Sequence, residues 1–286
     1  MDLAVESILV RKVTLVIILT FSVITIISCS MSQNYNDPIG PLYEGSYAGE
    51  PPPFDGSLKV VTWNLRHGEH VEQAIETLTG VEELRAADVI LLQEMDEVGV
   101  EKIAREMSYN YVYYPTIVRP RQGRLQGNAI LSKWPISDHS KIILPKFYSE
   151  IMQTRIAVQG TILVEGAEVD VYSVHLETIW LLPLKINSQA DHLSRHIDPD
   201  RKTIVGGDFN SWNDLVNKYL EQLFGQTGLL RVSAGTGYTF ETTGLRLTLD
   251  HIFSSHVKEF EAGVWRGTDT SDHYPLWAVL EIGEEQ

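Results

Sequence analysis

The stretch "TIVGGDFNSW", residues 203–212, decides how this chain is read. Thr203 to Val205 make a short strand pattern, two glycines follow, and then come Asp208 and Asn210. Read alone, Gly-Gly before Asp and Asn is ordinary turn chemistry, with Gly206 and Gly207 letting the chain turn tightly. In layered α/β folds, however, strand ends are also where functional sites are assembled. The rest of the chain has to decide between a turn and a site.

The same pattern recurs along the sequence. "VVTWN" ends on Asn64, "VILLQE" on Glu94, "VYSVH" on His175 and "LTLD" on Asp250, and "TSDHYP" places Asp272 and His273 just before the last apolar run. One polar residue at a strand end is a turn residue; a series at successive strand ends suggests a shared site. Glu94, Asp208 and Asp272 are hard oxygen donors, and Asn64 and Asn210 add amide oxygens. Mg²⁺ favours a few such ligands together with waters and substrate phosphate oxygens. His175 and His273 can contact a phosphate or move protons near neutral pH, and an adjacent Asp fixes a histidine's tautomer and favours its charged form. The set suits metal-assisted attack of water on phosphorus.

Between these ends, apolar patterning predicts strands over 58–63, 88–93, 128–132, 141–144, 154–164, 168–176, 247–255 and 274–282. A hairpin is expected at Glu165-Gly166. Helices are expected over 70–85, 97–107, 184–197 and 213–224. Strands mixed with both hairpins and intervening helices predict a two-sheet layered α/β protein.

The chain has 286 residues, 43% hydrophobic and 21% charged, with a formal net charge of −15. That balance fits a globular domain and disfavours a polyanion-coating protein. Arg11 and Lys12 precede an apolar run from Val13 to Ile27, then Ser28 and Cys29, the only cysteine. A basic region, an apolar core and small residues make a secretory signal. "IISC" resembles a bacterial lipoprotein box, with Cys29 as the lipidated residue; an uncleaved signal anchor and plain secretion are the other readings. All three send the domain out of the cytoplasm, the first two anchoring it at the membrane of the cell envelope. Residues 30–57, rich in Pro, Gly, Ser and Asn, read as a flexible linker, and the folded domain is expected over 58–286.

The motifs "TWNLRHG", "LLQEMD", "GNAILSKWPI", "VYSVHLE", "VGGDFNSW", "TLDHIFSS" and "SDHYPL" together resemble the endonuclease/exonuclease/phosphatase superfamily, the deoxyribonuclease I-like fold. The resemblance runs from about Leu58 to Ile282 with the motifs in family order. It implies a four-layered α/β sandwich and a divalent cation, Mg²⁺ or else Mn²⁺ or Ca²⁺. It implies Glu94 as the main metal ligand, Asp272 beside it, and Asn64 supporting metal and phosphate. Asp208 would position or deprotonate the attacking water and Asn210 would hold the phosphate. His273 would contact the scissile phosphate with Asp250 orienting it, and His175 would assist the leaving group.

Other residues stay open at this level. Asn128 is either near the site or an edge-strand amide. Arg155 is either a phosphate clamp or a surface salt bridge. His67 is either at the site rim or in a solvated loop, and "GYTF" (237–240) reads as packing. Arg119, Arg121 and Arg124 could steer a phosphate ligand. The expected function is a metal-dependent phosphoesterase acting as a monomer on a phospholipid or small phosphoester. The alternatives are an exported nuclease acting on DNA and a non-catalytic binding module on the same fold.

Overall fold

The computed structural model describes residues 33–119, 123–146, 153–178 and 183–282. Cys29 and Arg121 lie outside these residues.

Two large mixed sheets pack face to face. The first has the order β1 (Gln33–Asn34), β5 (Asn110–Val118), β6 (Leu125–Ser132), β4 (Val89–Met95), β3 (Ser57–Asn64), β16 (Leu276–Ile282) and β15 (Val257–Val264), with β2 (Tyr43–Ser46) also paired to β5. The second runs β11 (Leu230–Arg231), β14 (Asp250–Ser254), β10 (Lys202–Asp208), β9 (Ala167–His175), β8 (Ile156–Val164) and β7 (Ile136–Ile143). β12 (Phe240–Thr242) and β13 (Leu245–Leu247) form a separate hairpin. Period-2 alternation sorts the side chains. Val60, Leu91, Ile130, Val158, Val171, Ile204 and Leu280 fill the space between the sheets. Val61, Trp63, Ile90, Leu92 and Tyr113 face the other way, under α1 (Val71–Gly80) and α2 (Glu97–Met107). On the far side Val174, Val205 and Phe253 lie under α3 (Pro183–Ser194) and α4 (Asp214–Gly225). The fold is therefore helix–sheet–sheet–helix, the four-layered sandwich of the deoxyribonuclease I-like architecture.

The helices start where local chemistry allows. Asp96 caps α2 by accepting from the Gly99 N–H at 2.8 Å, and Asn213 caps α4 by accepting from the Val216 N–H at 2.9 Å, each satisfying a donor the helix cannot. Two long strands escaped the periodicity reading. β5 carries Pro115 at a register shift against β6, and β15 is an edge strand of mixed charged and apolar residues.

Two expectations need correction. Residues 30–57 are not a free linker throughout, because β1 and β2 add to the open edge of β5. The main-chain groups of an edge strand pair readily with any extended segment, whatever its side chains, so composition hides this. The second correction concerns Gly206 and Gly207, which are not turn residues but sit inside β10. A Cβ at Gly206 would lie 2.7 Å from Leu91 Cδ1 of the facing sheet, and one at Gly207 would lie 2.0 Å from the Val174 carbonyl oxygen. The turn comes at Asn210, whose φ is 50°.

Behind this strand, His251 is buried against Phe209 and Phe253, its Nε2 2.6 Å from Ser211 Oγ. Burial, with Arg231 nearby, pushes its pKa down to about 3. The unfolded chain takes up that proton near pH ~6.5. Between these values the unfolded state binds more protons than the native one, so stability falls as pH falls through that window. The slope is up to about 1.4 kcal/mol per pH unit. Urea midpoints measured from pH 7 to pH 4 should drop less steeply for His251→Gln; identical slopes would remove His251 as the cause.

Candidate active site

Strand register builds the site. Asp208 at the end of β10 is paired directly with His175 on parallel β9 and with Asp250 on antiparallel β14, so three functional groups fall on one row. From the facing sheet, β3 ends on Asn64 beside parallel β4, while antiparallel β16 begins near Thr62 and brings the preceding Asp272 and His273 to the same end. β4 would by alternation turn Glu94 outward. A bulge between Leu92 and Met95, with Glu94 at φ 59°, re-aims it inward. The result is a cleft of about 190 Å³ whose lining includes Asn64, His67, Glu94, His175, Asp208, Asn210, Asp272 and His273.

Asp208 is buried and held from two sides. Its Oδ2 accepts from Asn64 Nδ2 at 3.0 Å and its Oδ1 from the Asn210 N–H at 2.9 Å. His175 Nε2 lies 3.5 Å and His273 Nε2 3.7 Å from Oδ2. Burial raises the Asp208 pKa; the positive His273 opposes this, the Asp250 charge adds to it, and the balance stands at about 7. Burial by itself lowers the His273 pKa, but Asp250 and Asp208 outweigh it and lift the imidazole to about 10. His273 is therefore an imidazolium at neutral pH. Its Nδ1–H donates to Asp250 Oδ2 at 2.8 Å, leaving Nε2–H toward the cleft.

His175 behaves oppositely. Burial and the Arg155 guanidinium push its pKa well down, so it is neutral. Glu94 keeps a 16% exposed side chain, and His67 Nδ1 stands 2.7 Å from its Oε2. Burial alone would raise the Glu94 pKa; the His67 contact and the surroundings supplied by His175, His67 and Arg155 prevail and hold it down at about 2. Asp272 Oδ2 lies 3.7 Å from Arg66 Nε.

Two expected site residues stand elsewhere. Asn128 is 1% exposed and outside the cleft lining. Its Nδ2 donates to the carbonyls of Ile156 and Ser173 in the other sheet, at 3.1 and 3.3 Å, so it stitches the sandwich together instead of meeting substrate. Arg155 is buried beside His175 and outside the cleft lining: its Nη1 lies 3.0 Å from the histidine Nε2, and its Nη2 donates to Thr178 Oγ1 at 3.2 Å and pairs with Glu177 Oε1 at 3.5 Å. Removing it should release His175. In Arg155→Ala the His175 pKa is expected to move up, seen as a downfield-shifting imidazole titration by NMR; an unmoved titration would dissociate the pair.

Sequence reading also passed over parts of the site. The Thr239 of "GYTF" donates to Asp250 Oδ2 at 2.6 Å and accepts from the Leu249 and Asp250 N–H groups at 3.0 Å, and Phe240 packs edge-on against the His273 ring. Ser271 donates to the Asn64 carbonyl at 2.8 Å and ties the two strand ends together. Beneath the cleft, Gln93 donates to Thr62 on the neighbouring strand and to Ser173 in the facing sheet. Trp212, Phe240, Leu247 and Leu249 give the cleft an apolar wall. Only strand partners separated by long stretches of chain reveal these neighbours.

The donor chemistry fits a divalent cation. Glu94, Asp208 and Asp272 line one cleft, with Asp250 buried against His273, an arrangement that would repel a phosphate without a cation. The buried Asp250 Oδ1 has no hydrogen-bond partner, and Asp208 and Asp250 bring carboxylate oxygens to within 4.8 Å of each other, while the charged His273 beside them has no lone pair to offer. Asn64 Oδ1 accepts from the Arg66 N–H at 3.0 Å and keeps one lone pair for another contact.

Similarity to known proteins agrees with this geometry. A search against curated proteins found no match. Among solved structures, the chain resembles an endonuclease/exonuclease/phosphatase from Beutenbergia cavernae, with TM-score 0.65 at 19% identity, covering 79% of this chain and 72% of that one. It resembles an endonuclease/exonuclease/phosphatase family protein from Leptotrichia buccalis, with TM-score 0.62 at 17% identity, covering 79% and 100%. It also resembles D. rerio TDP2 complexed with a single-strand DNA product, with TM-score 0.62 at 18% identity, covering 79% and 99%. At such identities the likeness is one of fold. The family model for the Endonuclease/Exonuclease/phosphatase family matches residues 61–273, most of the chain and every strand end that builds the cleft, and the chain belongs to that family.

Proposed function

We propose that the protein is a divalent-metal-dependent phosphoesterase that hydrolyses a phosphodiester or phosphomonoester by in-line attack of water. The observation that carries this reading is the pairing of a buried carboxylate raised to about 7, Asp208, with a buried imidazolium, His273, at one acidic cleft. Asp208 takes a proton from the attacking water as the new P–O bond forms and the bond to the leaving oxygen breaks. A base with a pKa near the working pH suits that task. His273, held by Asp250, points Nε2–H at the phosphate and stabilises the charge that grows on its oxygens. It is also the better proton donor of the two histidines, since His175 is neutral. Asn64 and the Asn210 N–H fix the Asp208 carboxylate. Glu94 and Asp272, with Asn64, would hold the cation, which when bound neutralises phosphate charge and lowers the barrier to departure of the leaving oxygen.

The test is hydrolysis of bis(p-nitrophenyl) phosphate. Chelation should abolish turnover and Mg²⁺ restore it, and Glu94→Gln should raise the Mg²⁺ concentration needed for half-maximal rate by about tenfold or more. Turnover indifferent to chelator would remove the metal from the reading. A second reading, a nuclease, draws on the D. rerio TDP2 relative with its single-strand DNA product. The net charge of −15 weighs against polyanion substrates. Export and anchoring through residues 13–29 belong to this proposal too; a palmitate label on Cys29 would support the lipid anchor, and an unlabelled, soluble product would favour secretion. Among the described residues no helix is long and apolar enough to cross a membrane.

A further inference from the structure

The N-terminal strand β1 starts at the same end of the first sheet as the catalytic cleft, with β5 and β6 between it and β4. β1 runs antiparallel to β5, with Gln33 opposite Val118. On β5, Pro115 pairs with Gly127, and Gly127 pairs with Met95, the residue after Glu94. β5 therefore runs toward the cleft end of the sheet, and β1, antiparallel to it, starts at that end. Two further contacts fix the place. Asn34 Oδ1 accepts from the N–H and hydroxyl of Thr154 at 2.8 and 3.1 Å, and Thr154 directly precedes Arg155, which holds His175. Asn36 Oδ1 accepts from the same hydroxyl at 2.7 Å and from Lys146 Nζ at 2.9 Å. Across the hairpin, Arg119 lies within electrostatic reach of Glu94.

The separation from the anchor is short. Cys29 stands four residues before Gln33. Four residues span at most ~14 Å even when fully extended. A free 28-residue tether, the expectation from composition, would have let the domain tumble with its cleft in any direction. A strand locked to β5 from Gln33 onward does not. An uncleaved anchor ending near Ile27 would add only two residues to the reach.

We propose that β1 and β2 form a strap that seats the catalytic cleft at the bilayer surface carrying the protein's own anchor, so that the substrate is a phosphoester presented by that membrane, a lipid headgroup. This rests on the anchored phosphoesterase reading above. The strap sets orientation and distance; it contributes no group to the chemistry. Its value is effective concentration, since a cleft held against the bilayer meets headgroups far more often than one on a long leash.

The experiment uses the full chain reconstituted into phosphatidylethanolamine/phosphatidylglycerol vesicles. Two chromogenic diesters are compared, hexadecyl p-nitrophenyl phosphate in the bilayer and bis(p-nitrophenyl) phosphate in solution. A Gly/Ser insertion of about 20 residues between Ser32 and Gln33 lengthens the leash by roughly 25 Å without touching the strap. It should lower turnover of the bilayer substrate about tenfold or more and leave the soluble one unchanged. Asn34→Ala with Asn36→Ala, which removes the strap's side-chain ties to Thr154 and Lys146 and leaves its main-chain pairing with β5, should shift the same ratio in the same direction by a smaller factor. Bilayer turnover unaffected by the insertion, with soluble turnover intact, overturns the seating inference alone. Native protein that does not float with the vesicles overturns it through the anchor. Native protein that hydrolyses neither diester overturns the phosphoesterase reading and this inference with it.

Discussion

Asp208→Ala is expected to reduce metal-supported hydrolysis of bis(p-nitrophenyl) phosphate by about 10³- to 10⁴-fold, at the upper end of what a positioned general base contributes. The loss should fall on kcat, because the carboxylate meets the attacking water and not the ester groups that bind. Asp208→Asn keeps the volume and the contacts from Asn64 and the Asn210 N–H partly in place, so it separates lost basicity from lost packing. It should be nearly as slow while melting close to the native protein. The pH dependence follows from the same residue. Asp208 must be ionised to accept a proton, so the rate rises with pH through its pKa, about 7 without a cation and lower once a cation stabilises the carboxylate. His273 must stay protonated, so the rate falls again as pH approaches about 10. A variant retaining more than a tenth of native kcat would exclude Asp208 as the base.

Gly207→Ala is expected to prevent accumulation of folded protein. The new Cβ would lie 2.0 Å from the Val174 carbonyl oxygen and 2.8 Å from Val174 C and N, all main-chain atoms of the neighbouring strand that no rotamer change can move. Relief requires parting β10 from β9, and that pair sets the register of Asp208 against His175. A cost above about 4 kcal/mol, a large fraction of the stability of an ordinary domain, follows from such a clash. Gly206→Ala meets Leu91 Cδ1 at 2.7 Å, the end of a flexible side chain, and should cost less. Soluble expression and thermal melts of the two variants test the ranking; a Gly207→Ala protein melting like the native one would show that the strands can part freely.

The residues proposed to do chemistry were legible because each breaks a local rule. A buried apolar strand has no reason of its own to end on Asn64, Glu94, His175, Asp208 or Asp250, and the donor types agree with one another. Helices at 97–107 and 213–224 were legible because apolar spacing and an Asp or Asn cap coincide. The misreadings share a cause. Asn128 looks like a site residue from its motif, and Arg155 like a phosphate clamp, but whether a side chain meets the cleft, the opposite sheet or a histidine of the cleft depends on partners 20 to 45 residues away. Thr239 and Phe240 looked like packing for the same reason.

By itself the sequence determined the layered α/β class and the acidic and histidine-bearing strand ends, because periodicity and residue chemistry are local properties. Tertiary structure alone decided the rest. Register set Asp208 between His175 and Asp250, a bulge turned Glu94 inward, and neighbouring charges split two equally buried imidazoles into a charged His273, beside Asp250 and Asp208, and a neutral His175, beside Arg155. The open edge of β5 turned an unpatterned segment into strand. Each of these depends on which main-chain groups and charges meet across the fold, and no window of sequence contains both partners.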